Sequence, residues 1–123
     1  MTLEGKVISG LGVAKIWINK IKDIFFSKEE KILFPGTLNI ELDYEFTFNP
    51  DIIIKKEEYG GQYDVHIKRC EVLGKTAYIV RSGKNLKKDG DYKLNIIEIM
   101  AETNFRDRYN VKDGELIKIY VEK

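Results

Sequence analysis

Four short stretches of this 123-residue chain hold residue types whose spacing could do chemistry. The first is Ser9-Gly10-Leu11-Gly12-Val13-Ala14-Lys15. Glycines let backbone N–H groups come close to phosphate oxygens, and Lys15 adds a positive charge. A tight hairpin turn would use the same two glycines. The segment is neither a dinucleotide-binding fingerprint nor a P-loop. A third glycine is missing, no Gly-Lys-Ser/Thr follows, and the next residues read as strand. Phosphate binding here would then rest on turn amides and Lys15, without a helix dipole. The second stretch is Pro35-Gly36-Thr37-Leu38-Asn39-Ile40. Alternate residues of a strand share a face, so Thr37 and Asn39 would present a hydroxyl and an amide oxygen to one spot. Two neutral oxygens suit a hard cation such as Mg²⁺, which fills its shell with water and substrate phosphates. Two polar residues on a wet face would give the same pattern.

The third is Glu98 within Ile96-Ile97-Glu98-Ile99-Met100. A carboxylate among apolar neighbours sits either on a solvated face or in a pocket. In a pocket its proton affinity rises, which suits a group that takes a proton from a substrate hydroxyl. The fourth is Thr103-Asn104-Phe105-Arg106-Asp107-Arg108. A helix start there would offer N–H donors, and two arginines would supply rigid forks for oxygen acceptors. A surface helix of ordinary charge mix is the plainer alternative.

Other chemistries are poorly supplied. Cys70 is the one cysteine and His66 the one histidine, so an internal disulfide is impossible and a zinc site of those ligands is ruled out. Cys70 reads as a structural thiol and His66 as an ordinary strand residue. Lys plus Arg number 21 and Asp plus Glu 20, a formal charge of +1. That balance argues against a broad basic face for nucleic acid. No apolar run is long enough to cross a bilayer, and the first residues lack the apolar core of a signal peptide. A cytoplasmic protein is expected, with one domain over residues 1–123.

The elements that must position these groups are mainly β. Strands are expected over Leu3 to Ser9, Thr37 to Leu42, Asp51 to Lys55, Tyr63 to Leu73, Thr76 to Ser82, Asn95 to Ala101 and Glu115 to Val121. Val13 to Ile18 could begin a further strand, with a short helix around Lys20 to Phe26. Ser27-Lys28-Glu29-Glu30 has the form of a capping box. Gly74-Lys75 marks a hairpin, Tyr59-Gly60-Gly61-Gln62 and Asp113-Gly114 mark turns, and Gly83 to Tyr92 reads as a polar loop. Thr103 to Tyr109 reads as one or two helical turns, capped by Thr103 or Asn104 and ended by Asn110. Six or seven short strands favour a barrel, though periodicity alone does not separate a barrel from a sandwich.

The order of the motifs is more specific than any one of them. Gly5-x-Val7-x-Ser9-Gly10-Leu11-Gly12, then Pro35 to Leu42, then Ile96 to Ala101, then Phe105-Arg106 and Val111 to Ile119 together resemble the archaeal CTP-dependent riboflavin kinases. The resemblance implies a six-stranded cradle-loop (RIFT-type) barrel with one or two short helices. It implies transfer of the terminal phosphate of CTP to the 5′-hydroxyl of riboflavin, giving FMN and CDP, with Mg²⁺ or another divalent cation. Gly10, Leu11, Gly12, Val13, Ala14 and Lys15 would form the nucleotide-phosphate turn. Thr37 and Asn39 would hold the metal, Glu98 would stand at the flavin, and Thr103, Asn104, Phe105, Arg106, Asp107 and Arg108 would surround the cytidine nucleotide. A monomer with no nucleic acid or membrane partner is expected.

Three places depart from the family pattern. Ala14 and Lys15 stand where a further glycine and an arginine are usual. Alanine would be strained there if the backbone needs positive φ, and lysine lacks the planar fork. Glu102 replaces a proline and adds negative charge beside the nucleotide site. The flavin-binding threonine of the loop before Glu98 has no clear counterpart, and Ser82 is the candidate substitute. The competing reading is a non-catalytic barrel that binds flavin or nucleotide as a regulatory module. A kinase with another donor or acceptor is the third.

Overall fold

The structure, a computed structural model, describes residues 1–10, 12–83 and 93–122. The strands are β1 (Thr2–Ile8), β2 (Leu38–Glu41), β3 (Ile52–Ile54), β4 (Val65–Val72), β5 (Lys75–Ser82), β6 (Ile96–Met100) and β7 (Leu116–Val121). The described helices are α1 (Ala14–Glu29), α2 (Lys56–Tyr59) and α3 (Phe105–Tyr109). Six strands close into an antiparallel barrel in the order β4-β5-β6-β2-β1-β7, with β7 returning to β4. β4 divides its outer edge. Val65 to Ile67 pair with β3, and Cys70 to Val72 pair with β7. Sequence patterning had left barrel and sandwich open, and this ring of pairings settles on the barrel.

Alternation along each strand makes two apolar layers. Inward-facing residues such as Leu3, Val7, Ile40, Val72, Ile79, Ile97 and Ile119 fill the barrel. Outward-facing Val65, Ile67, Tyr78, Val80 and Met100 meet Ile18, Ile21 and Phe25 of α1. β1 passes so close to β2 that a Cβ on Gly5 would lie 2.5 Å from Ile40 Cγ2 and 2.6 Å from the Glu41 carbonyl. A side chain at Gly5 would wedge the ring open.

α1 corrects the sequence reading. No strand begins at Val13, because the helix starts at Ala14 and runs 16 residues. Val13, Ile16 and Ile18 are β-branched, but Ala14, Trp17, Ile18, Ile21, Ile24 and Phe25 form one stripe against the barrel. Burial of that stripe outweighs local propensity. Ser27 is not a cap: it lies inside α1 and its hydroxyl donates to the Ile24 carbonyl at 2.7 Å. The helix ends at Glu30, which takes a left-handed conformation at φ 59°. The β4–β5 turn also falls one residue earlier than expected. Val72 pairs with Lys75, so Leu73 and Gly74 form the loop, with φ of 51° and 75°. Two positive φ values are what a two-residue hairpin of primed type requires. Of the loop expected over Gly83 to Tyr92, all but Gly83 lies outside the described residues.

Two charged groups fix the frame. Glu29, the last residue of α1, takes both Nε (2.7 Å) and Nη2 (2.8 Å) of Arg69 and the Tyr78 hydroxyl (3.0 Å). The Phe25 ring meets Tyr78 edge-on, centroids 4.8 Å apart. Arg81 is buried and donates to the Phe46, Leu94 (3.1 Å) and Ile96 (3.3 Å) carbonyls, which ties the segments flanking the barrel's end to β5.

Arg69 holds the Glu29 carboxyl below its ordinary value of 4.5, against the opposing effect of burial. A lowered carboxylate stabilises the fold above that value, and the gain is lost as pH falls through the folded value. Glu29→Gln is expected to cost about 2 kcal/mol near neutral pH. The gap from wild type should narrow as pH falls well below 4.5. Urea unfolding across this range checks it, and a pH-independent gap would remove the carboxylate from the account.

Candidate functional site

A cleft of about 300 Å³ opens on the outside of the barrel, at the N-terminal end of α1. Its walls are Ser9, Gly10, Gly12, Val13, Ala14 and Lys15, then Pro35, Gly36, Thr37 and Asn39, then Glu98 and Arg106. Residues from four separate parts of the sequence therefore meet. Strand register explains why. Asn39 pairs with Ile8 of β1 on one side and Glu98 of β6 on the other. Directly opposed residues project from the same face with Cβ atoms about 4.5–5.5 Å apart. Thr37 lies just before β2 and lines the same space.

The glycine turn differs from expectation in one respect that matters. It feeds a helix N-terminus, so a helix dipole is present. Gly12 has φ of 77°, a conformation that favours glycine. The Val13 cap position carries no side-chain hydrogen bond, and the first turn of α1 has no acidic residue. Lys15 sits in that turn. A cation beside the positive end of a helix is unfavourable by about 0.3–1 kcal/mol, so an anion lodged there would gain from both. The departure at Ala14 carries no strain, because Ala14 is helical and is not among the residues with positive φ. Leu11 lies outside the described residues.

Asn39 is 6% exposed, and its Oδ1 has no hydrogen-bond partner. An unpaired buried acceptor costs roughly 1–3 kcal/mol. Its oxygen character and its place beside Thr37 fit a hard cation. Glu98 is half-buried. Its charge and that of Glu45 act on the buried Arg81 guanidinium, which burial pulls below its ordinary value. Ser82 ends β5 two residues beyond Val80, which pairs with Glu98, so Ser82 shares the face of Glu98.

A second cleft of about 220 Å³ adjoins the first and shares Gly36, Thr37 and Arg106 with it. Phe34, Thr103, Asn104 and Phe105 complete much of its wall. Two of the donors expected at the start of α3 are already used. Asn104 caps that helix, accepting from the Arg106 N–H (3.0 Å) and the Asp107 N–H (3.3 Å). Asp107 accepts from Asn104 Nδ2 at 3.0 Å, and Arg108 lies over the Tyr109 ring at 5.6 Å. Neither lines a described cleft. Nor does Glu102, which pairs with Lys31 at 3.9 Å.

Sequence reading saw Asp113 only as a turn residue. In the structure its carboxylate accepts the Ser9 hydroxyl at 2.6 Å and Arg106 Nη2 at 2.5 Å. The separation in sequence concealed this, although an Asp-Gly turn opposite a glycine loop was a usable signal. Cys70 is buried inside the barrel and burial pushes its thiol up to about 12, consistent with a structural role. His66 lies on β4 opposite Arg81, away from both clefts.

Fold and cleft together define a small closed β-barrel whose outer face presents a glycine turn, a helix start, two neutral oxygens and a carboxylate to one ligand space. A family model for CTP-dependent riboflavin kinases, described as a domain of unknown function, DUF120, matches residues 7–121. The chain belongs to this family. It is 30% identical over 134 residues to a riboflavin kinase of Pyrobaculum aerophilum, covering 97% of this chain and 60% of that protein. It is 29% identical over 136 residues to one of Methanosphaera stadtmanae, covering 100% and 99%. A Staphylothermus marinus riboflavin kinase is 25% identical over 122 residues, covering 97% and 90%. Among the described residues no helix is long and apolar enough to cross a membrane.

Asn39→Val removes the orphaned acceptor and suits a strand. Without divalent cation it is expected to stabilise the fold by about 1 kcal/mol, raising the melting temperature by a few degrees. If a divalent cation binds beside Thr37, the same variant should lose it. A thermal melt and a titration with and without Mg²⁺ check both, and a lowered melting temperature would show that the amide is satisfied in solution.

Proposed function

We propose that this chain is a riboflavin kinase that moves the terminal phosphate of CTP to the 5′-hydroxyl of riboflavin, giving FMN and CDP. The observation that supports it best is the row Ile8, Asn39, Glu98, which places an orphaned oxygen and a carboxylate beside the glycine turn. Phosphoryl transfer needs mostly positioning and neutralised charge. This cleft offers both. Backbone donors of Gly12 and the first turn of α1, with Lys15, would hold phosphate oxygens. Thr37 and Asn39 would hold a divalent cation such as Mg²⁺, which when bound would neutralise phosphate charge. Glu98 would orient the riboflavin hydroxyl and take its proton as the new O–P bond forms and the bond to the CDP oxygen breaks. The adjoining cleft, with Arg106 between the two, would take the nucleoside. Ser82 and Glu98, on one face, would meet the flavin end.

Alanine and lysine in the phosphate turn are compatible with this reading. Ala14 has helical geometry, and Lys15 supplies the charge if not the fork. Glu102 lies outside both described clefts, so its negative charge bears on the nucleotide only at a distance.

Pure protein with riboflavin and Mg²⁺ is expected to form FMN with CTP and not with ATP, GTP or UTP. FMN from another nucleotide would reassign the donor, and flavin binding without turnover would favour the regulatory module. Glu98→Gln is expected to lower turnover by about 10²- to 10⁴-fold while CTP affinity changes little. Undiminished turnover would take Glu98 out of the reaction.

A further inference from the structure

Asp113 joins two parts of the cleft that no backbone pairing joins directly. Its Oδ2 accepts from Ser9, which opens the glycine turn, and its Oδ1 accepts from Arg106 of α3. Arg106 Nη2 also donates to the Ile8 carbonyl at 3.0 Å, one residue before Ser9. The base of this link is stiff. Gly114 N–H donates to the Val7 carbonyl and Val7 N–H to the Glu115 carbonyl, each at 2.8 Å. The Asp113 turn is thus stapled to the end of β1, and its carboxylate reaches forward to hold both Ser9 and Arg106. Both described side-chain bonds of Arg106 use Nη2, so Nε and Nη1 make no hydrogen bond among the described residues. A ligand oxygen in either cleft could engage them without breaking the link.

We propose that Asp113 is a positioning residue that sets the phosphate turn and Arg106 in fixed relation before nucleotide arrives. This rests on the reading of the cleft as a nucleotide site. Preorganisation lowers the ordering cost of binding, so losing it weakens affinity without touching reacting atoms. The Ser9 hydroxyl, followed by Arg106, holds the Asp113 carboxyl below its ordinary value, so both oxygens are acceptors at neutral pH. An asparagine amide has one acceptor oxygen. Its Nδ2 could still donate to the Ser9 hydroxyl while Oδ1 accepts from Arg106, so asparagine can keep both partners, and alanine, which loses both, is the test.

Asp113→Ala in the full chain tests the proposal in two independent ways. In hydrogen exchange without ligand, the amides of Gly10, Gly12 and Val13 are expected to exchange about fivefold faster or more, while those of β5 stay unchanged. Unchanged exchange, or faster exchange throughout the barrel, would overturn the role. In steady-state assays KM for CTP is expected to rise about tenfold with kcat within twofold, the pattern of lost uniform binding. An unchanged KM would also overturn it. Ser9→Ala should loosen the same amides, and combining it with Asp113→Ala should add little if the carboxylate is the shared link. Wild-type protein that binds no CTP would instead sink the kinase reading, and the exchange data would then decide the role of Asp113 alone.

Discussion

The register between β2 and β6 carries the site. Asn39 faces Glu98 across that pair, and both project outward because Leu38, Ile40, Ile97 and Ile99 are packed inside. A slip of one residue would send every one of these side chains to the opposite face. Four buried aliphatic side chains therefore enforce the placement of two polar ones. The site is stable in position because the barrel cannot relax toward it without exposing its own core.

The second support is α1. Its stripe on the outer layer and the Glu29–Arg69–Tyr78 contacts anchor the C-terminal end, and Gly12 lets the chain turn from β1 into the helix. The N-terminal end is thereby aimed along the sheet toward the row of Asn39 and Glu98. Two features at that end carry local costs. Asn39 buries an acceptor without a partner, and Lys15 sits at the positive pole of the helix. On the proposed function, one anionic ligand accompanied by a cation would relieve both.

Much of this was legible in the amino-acid sequence, and for identifiable reasons. The Thr37 to Leu42 alternation gave the correct faces because period-two patterning is strong when one side is fully buried. Glu98 stood out because one carboxylate interrupted an aliphatic run. The helical nature of Ala14 to Ile18 was obscured because β-branched residues dominate a local view, and the stripe emerges only over the full length of α1. Thr103 and Asn104 were both candidates for the cap of α3, and Asn104 takes the place, which engages two of the N–H donors a ligand could have used. Arg81 and Asp113 were invisible as functional or structural hubs, since their partners lie 13 to 35 and 7 to 104 positions away. Distance along the chain hides such contacts unless the strand order is already known.

β1 pairs with β7 along five registered positions, from Thr2 opposite Tyr120 to Lys6 opposite Leu116. The ring therefore cannot shut until its last strand is available, and the chain entropy of a very large loop must be overcome to shut it. During synthesis the hairpin of β4 and β5 can form early, but the pairing that completes the cylinder waits for β7 to emerge from the ribosome. Until then the mouth between β1 and β4 stays unsealed, so Asn39 and Glu98 can already be correctly paired in a molecule whose interior is still wet.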